Sequence, residues 1–199
     1  MATKAESMIT QEAYLELERA ADSKSEYYRG EIFAMSGATR WHVRISSNLL
    51  FALMKAYEGS NCFVFNSDLR VHIPSIGLYT YPDLGIVCGE EKYLDEHFDT
   101  LLNPVSLIEI LSPSTESYDR GQKFSFYRHI ESLQEYVLVA QDRKSVEVFF
   151  RDENNRWSLR EPDHERGSVV LSGHEIMLGD IYRGVPLDEY AGIRRLPPE

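Results

Sequence analysis

The sequence has no long apolar run, and that absence excludes a membrane-spanning helix. No stretch approaches the roughly 18 apolar residues such a helix needs. Near the start, Lys4 is followed by Glu6 and Glu12 without an apolar block, so no export signal is expected and the chain reads as cytoplasmic, with no membrane partner. Cysteine is scarce. Cys62 and Cys88 lie in strand-like apolar runs without CxxC or metal-type spacing, so each reads as a buried thiol and no disulfide framework is implied. Internal repeats, low-complexity blocks and Ser/Gly/Pro linkers are also missing, which argues against solenoids and strings of domains. Positive charge is in short supply, since 21 Lys and Arg face 32 Asp and Glu for a net charge of -11. Phosphate contacts from Lys and Arg supply most non-specific affinity for nucleic acid, so tight duplex binding is disfavoured. A local basic rim beside clustered carboxylates is still compatible with that total.

What is present suits one domain. With 199 residues and 43% hydrophobic content the chain can close one sizeable core without staples, and the expectation is a single domain over residues 1–199 with its core at about 10–190. Thr10 can cap a helix through about Ala21 in which Tyr14, Leu15 and Leu17 form the apolar stripe. Ser25 to Met35 reads as a hairpin turning at Arg29-Gly30. From Trp41 to about Glu58, Val43, Ile45, Leu49, Leu50, Leu53 and Met54 recur at helical spacing. Short strands follow at Cys62–Phe65, Asp68–Ile73 and Leu84–Cys88, broken by Asn66, Pro74, Gly77 and Pro82. A strand from Val105 to Leu111, a helix from Asp119 to Ile130 and a strand from Glu135 to Ala140 make a βαβ unit. Val146–Phe150 and Arg156–Leu159 pair across Asn154-Asn155, and a β-rich tail runs to about Tyr190.

One carboxylate breaks this pattern. Glu109 interrupts Leu107, Ile108, Ile110 and Leu111 in a run that reads as buried on both faces, where a charge is costly unless paired or bound to metal. Asp83 follows Pro82 at the entry to an apolar strand, a placement that alone reads as a turn residue. Two carboxylates from neighbouring strands plus a backbone carbonyl make an oxygen site suited to Mg²⁺, and no Cys or His stands at zinc-ligand spacing. Lys123 shares a helix face with Tyr127 just after the Glu109 strand; alone it reads as a surface lysine. His42 is either a packed histidine or a substrate contact. Asp68 could pair with Arg70 or Lys123. Glu90, Glu91, Asp95, Glu96 and Asp99 read as a solvated loop without a role. A sugar hydrolase built on two flanking acids explains neither Lys123 nor the strand around Glu109.

The run Tyr81-Pro82-Asp83-Leu84, then Glu109-Ile110-Leu111-Ser112-Pro113-Ser114-Thr115, with Lys123 and Tyr127 downstream, resembles the Uma-two family of the PD-(D/E)XK nuclease superfamily. The likeness also takes in Ser25-Glu26-Tyr27-Tyr28-Arg29-Gly30-Glu31-Ile32, His42 and Glu135-Tyr136-Val137-Leu138-Val139. It implies an α/β restriction-endonuclease-like fold, a mixed central sheet flanked by helices with β-hairpin additions. It further implies a Mg²⁺-dependent endonuclease acting on DNA, with Mn²⁺ able to substitute. In that pattern Asp83, Glu109 and the Ile110 carbonyl hold the metal, and Glu26 orients a metal-bound water or a second ion. The superfamily lysine two residues beyond the glutamate is here Leu111, and Lys123 stands where a lysine from the following helix replaces it. A homodimer is expected because duplex cleavage needs two sites. The alternative is a nuclease fold that does not cleave and serves as a binding or assembly module, which the net charge favours.

Overall fold

The computed structural model describes residues 8–163 and 165–187, so the expected end of the core at Tyr190 lies outside the described residues. Helix α1 (Gln11–Ala20) is capped by Thr10, whose hydroxyl accepts from the Ala13 amide, and it leads into the hairpin β1 (Ser25–Tyr28) and β2 (Glu31–Ala34). The hairpin turns at Arg29 and Gly30, both at positive φ. Helix α2 (Arg40–Ala56) starts at Thr39 and buries Ile45, Leu49 and Leu53 completely. Their spacing of four puts them on one face, and each contributes about 1.5–3 kcal/mol of burial. After it come β3 (Cys62–Asn66), β4 (Arg70–Ile73), β5 (Leu78–Thr80), β6 (Leu84–Cys88), the short β7 (Thr100–Leu101) and β8 (Ser106–Leu111).

The expected helix from Asp119 to Ile130 is replaced by three joined pieces. They are α3 (Glu116–Tyr118), a π-turn (Asp119–Lys123) and α4 (Phe124–Tyr127). A π-turn inserts an extra residue into helical winding. Here it brings both Asp119 and Lys123 inward, where both are buried. Then follow β9 (Glu135–Ala140), β10 (Val146–Arg151), β11 (Trp157–Arg160), β12 (Ser168–Leu171), β13 (His174–Met177) and α5 (Leu178–Ile181).

Six strands form a mixed sheet in the order β11-β10-β9-β8-β6-β3, with β8 and β9 parallel and the other pairs antiparallel. A second sheet runs β2-β1-β5-β4-β7. Side chains of the large sheet alternate. Leu84, Ile86, Ile108, Ile110, Val137 and Val139 join α2 and α5 in one core layer. Leu107, Leu111, Tyr136 and Leu138 join Val71, Ile73 and Leu78 of the second sheet in another. The large sheet is therefore covered on both faces, which is why its central strands read as continuous apolar runs. No helix among the described residues is long and apolar enough to cross a membrane.

Three expectations need correction. Cys62 and Cys88 are not separate thiols. They are direct partners across β3 and β6, with Cα atoms 4.0 Å apart, and form a disulfide. Pairing across the sheet, which single-residue spacing does not reveal, brings them together. Asp95 and Asp99 are not idle loop acids, because Arg19 bridges both and buried Arg70 also reaches Asp99. Asp68 pairs with Lys24 instead of Arg70 or Lys123.

The stacking of β6 on β3 fixes the turn that carries Asp83. Gly85 is the Cα partner of Phe65, and a Cβ at Gly85 would lie 2.2 Å from the Phe65 ring. We expect Gly85→Ala to destabilise the fold by about 1–3 kcal/mol through overpacking. The double variant Gly85→Ala with Phe65→Leu should recover part of that loss. Urea denaturation measures both; an unchanged midpoint in the single variant would refute the close packing.

Candidate active site

Residues from several elements of both sheets and the helices between them meet at one site. Glu109, on the central strand β8, is 3% exposed, and its Oε1 accepts from the Tyr127 hydroxyl at 2.8 Å and lies 2.9 Å from Lys123 Nζ. Lys123 and Tyr127 reach it from the π-turn and α4. Asp83 sits in the turn before β6, an interior strand of the sheet and not its edge. Its Oδ2 accepts the Ile110 amide at 2.7 Å and lies 3.0 Å from His42 Nε2. An ionised carboxylate only accepts, so this contact places the imidazole proton on Nε2. Glu26, on β1, accepts from Thr80 Oγ1 at 2.5 Å and lies 3.9 Å from Lys123.

The structure thus brings together Asp83, Glu109, Lys123, Glu26 and the Ile110 backbone, and adds His42 as a partner of Asp83. In a strand, the N–H and C=O of one residue point the same way. The Ile110 amide points at Asp83, so its carbonyl faces that side too. Asp119 is the residue the sequence reading missed. It is buried, its Oδ1 lies 3.8 Å from Lys123, and its carbonyl accepts from Tyr136, which anchors the π-turn. Its spacing of four from Lys123 was the available signal.

Three carboxylates, Glu109, Glu26 and Asp119, therefore surround one ammonium. Burial pushes the Glu109 carboxyl up to about 8 against the pull of Lys123, and Asp83 and Asp119 add to the rise. Burial also raises Asp119, opposed by Lys123. Burial alone would lower Lys123, but Glu109, Glu26 and Asp119 outweigh it and hold the ammonium well above its usual range. Tyr127 is raised by burial and by Glu109, so its hydroxyl stays a donor.

A two-sheet core with a mixed central sheet and an acid–acid–lysine set at its strand ends defines a restriction-endonuclease-like fold. The Uma2 family profile, described as "Putative restriction endonuclease", matches residues 11–179, and the chain belongs to this family. Two relatives from Synechocystis sp. align over most of their length. The uncharacterized protein slr1290 is 33% identical over 178 residues, 89% of this chain and 93% of that protein. The uncharacterized protein sll1609 is 34% identical over 165 residues, 83% of this chain and 93% of that protein. Among solved structures, a nuclease-assigned DUF820 protein from Anabaena variabilis superposes with a TM-score of 0.70 at 20% identity, covering 87% of this chain and 97% of that one, which supports the shared fold.

The Glu109 shift carries a pH signature. A carboxyl whose folded value lies above its unfolded one, 4.5 rising to about 8, stabilises the fold fully below pH 4.5 and loses that contribution as pH rises through 8. Metal-free, the stability of the wild type minus that of Glu109→Gln should therefore fall between about pH 5 and 8. At the acid end, burial lowers His72, stacked on Tyr79 at 3.9 Å, to about 4, a loss of stability from pH 6.5 down to 4 that both proteins share and that cancels in this difference. Denaturation in EDTA across that range tests both statements. Parallel curves from pH 5 to 8 would show that Glu109 holds no extra proton.

Proposed function

We propose that the chain is a Mg²⁺-dependent endonuclease hydrolysing DNA phosphodiester bonds, with Mn²⁺ able to substitute. The observation that carries this reading is the buried contact of Lys123 with Glu109 beside Asp83, an ionisable set that an apolar core tolerates poorly. Among the described residues no three His, Cys, Asp or Glu side chains form a ready-made metal cage. The donor set nevertheless fits magnesium, which takes one or two carboxylates, keeps several waters and completes its shell with substrate phosphate. The hydrogen bonds described for the two acids fall on Asp83 Oδ2 and Glu109 Oε1, leaving Oδ1 and Oε2 for a cation with the Ile110 carbonyl as third ligand.

When bound, magnesium polarises the phosphoryl oxygen and lowers the pKa of its water. The protein's share is positioning. His42 and the Ile110 amide fix the Asp83 carboxylate, while Tyr127 and Lys123 fix that of Glu109. Lys123 presents its ammonium where negative charge develops on the phosphate or where the attacking water must be held. Glu26, set by Thr80, would orient that water. The net charge of -11 favours a second reading, a non-cleaving binding or assembly module of the same fold. The two readings part on cleavage.

Asp83→Asn and Glu109→Gln should each abolish Mg²⁺-dependent cleavage of supercoiled and circular single-stranded DNA while keeping the fold. Magnesium at a hundred times its dissociation constant should stabilise the wild type by roughly 2.7 kcal/mol and neither variant comparably. Wild-type cleavage by either variant would sink the metal assignment. Metal stabilisation without cleavage of either DNA would favour the module.

Lys123→Ala should lower turnover by about 10² to 10⁴ with little loss of metal affinity. Leu111 is buried on the Glu109 face of β8, so Leu111→Lys alone should destabilise, yet in the Lys123→Ala background it should restore part of the activity per folded molecule. Unchanged turnover in Lys123→Ala would remove the lysine from the chemistry.

A further inference from the structure

Three rings stand around the carboxylate cluster and are not used to build it. Phe33 is 47% exposed although it is the Cα partner of Glu26 across β1 and β2, so its ring stands beside the Glu26 carboxylate on the same face of the hairpin. Tyr118, 36% exposed, immediately precedes the π-turn, and its phenol feels the charges of Glu26, Lys123, Asp119 and Glu109. Trp41 immediately precedes His42, the partner of Asp83, and carries the Arg40 guanidinium 3.9 Å from its ring centre. Phe33 and Tyr118 come from β2 and α3 on one side of the large sheet, and Trp41 from α2 on the other, next to the Asp83 partner His42.

Charge decides what such a rim can hold. A protein that grips duplex DNA draws its affinity from Lys and Arg on phosphates. Here Arg19, Arg70, Arg120 and Arg143 already face carboxylates, and Lys123 is committed to the cluster. Rings bind nucleic acid by another route, stacking on bases, which adds to the backbone contacts and needs bases free of the duplex. The exposed rings of Phe33 and Tyr118 beside the site therefore favour an unpaired strand over a duplex.

We propose that this rim binds single-stranded DNA, with bases stacked on Phe33 and Tyr118 and a backbone phosphate on the Arg40–Trp41 pair, so that an unpaired strand is what enters the site. The assignment of that strand as substrate rests on the nuclease reading, whereas its binding does not. The test is fluorescence anisotropy with the chain carrying Asp83→Asn, in Mg²⁺, using end-labelled single-stranded, duplex and RNA oligonucleotides of one sequence. The single strand should bind at least about tenfold more tightly than the duplex. Phe33→Ala and Tyr118→Ala should each weaken it by about 5- to 100-fold, the range of one base–aromatic stack. Phe33→Trp should keep the affinity and Phe33→Leu should lose it, while Phe98→Ala, which removes an exposed ring from the loop around Arg19, should change nothing. Equal or tighter duplex binding, no single-strand binding, or full affinity in Phe33→Leu would each overturn the proposal. So would tighter RNA binding, or a dimer dissociated by Phe33→Ala with unchanged DNA affinity, which would make the hairpin a surface between copies. A chain that binds the single strand in this way, while the unsubstituted chain cuts no DNA, defeats the nuclease reading alone. Cleavage confined to duplex, with no single-strand affinity, defeats only this one.

Discussion

Lys123 is the ammonium shared by Glu109, Glu26 and Asp119, and the surrounding architecture depends on its being there. Without it, buried carboxylates would face one another in a medium too poorly polarisable to screen them, a loss of the 3–5 kcal/mol order seen when one partner of a buried pair is removed. With it, the cluster still carries surplus negative charge, which Glu109 relieves by holding its proton to about pH 8. A cluster of this kind holds together because the ammonium and the retained proton offset its negative charge. Replacing the whole set by apolar side chains would be the easier way to stabilise this core. That its polar members persist, each hydrogen-bonded, is the physical argument that they serve chemistry.

Both sheets are needed to supply this arrangement. The large sheet contributes Glu109 and Ile110, and the turn into β6 contributes Asp83. The second sheet contributes Glu26 on β1 and Thr80 at the end of β5. The two are locked by layered packing between them and by a buried network in which Arg70 donates to Tyr81 and Tyr81 to Glu18, while Glu18 accepts from Ser25. That network holds Ser25 and Tyr81, the direct neighbours of Glu26 and Pro82, in fixed relation. The Arg19 bridge to Asp95 and Asp99 ties the same corner to the loop before β7. Acids that look like solvent decoration along the chain are thus braces for the site.

What could be read from the sequence divides by range. Glu109 was legible because a charge inside a continuous apolar strand is a local anomaly, and α2 was legible because its spacing is local. The site set of Asp83, Glu109, Lys123 and Glu26 rested on the motif resemblance, since nothing local brings β1 to β8. The misses are contacts set by pairing and winding. The Cys62–Cys88 bond depends on the β3–β6 register, which apolar spacing does not encode. The inward turn of Asp119 depends on a π-turn, whereas an ideal α-helix places the faces differently. The partners of Asp95 and Asp99 lie about eighty residues earlier, on α1.

His42 shows how one contact can change a residue's meaning. On its helix it is a histidine that directly follows the half-buried Trp41, which stacks on Arg40, and spacing alone leaves it among packed residues. In space its Nε2 and the Ile110 amide converge on one oxygen of Asp83 from opposite elements, α2 and β8. Two donors on Oδ2 fix the plane of the carboxylate and leave Oδ1 as its freer oxygen, the orientation a ligand to a hard cation needs. Because α2 packs on the large sheet through Ile45, Leu49 and Leu53, the position of that oxygen is set by the hydrophobic core itself. Core packing and site geometry are then one constraint, transmitted through a single imidazole.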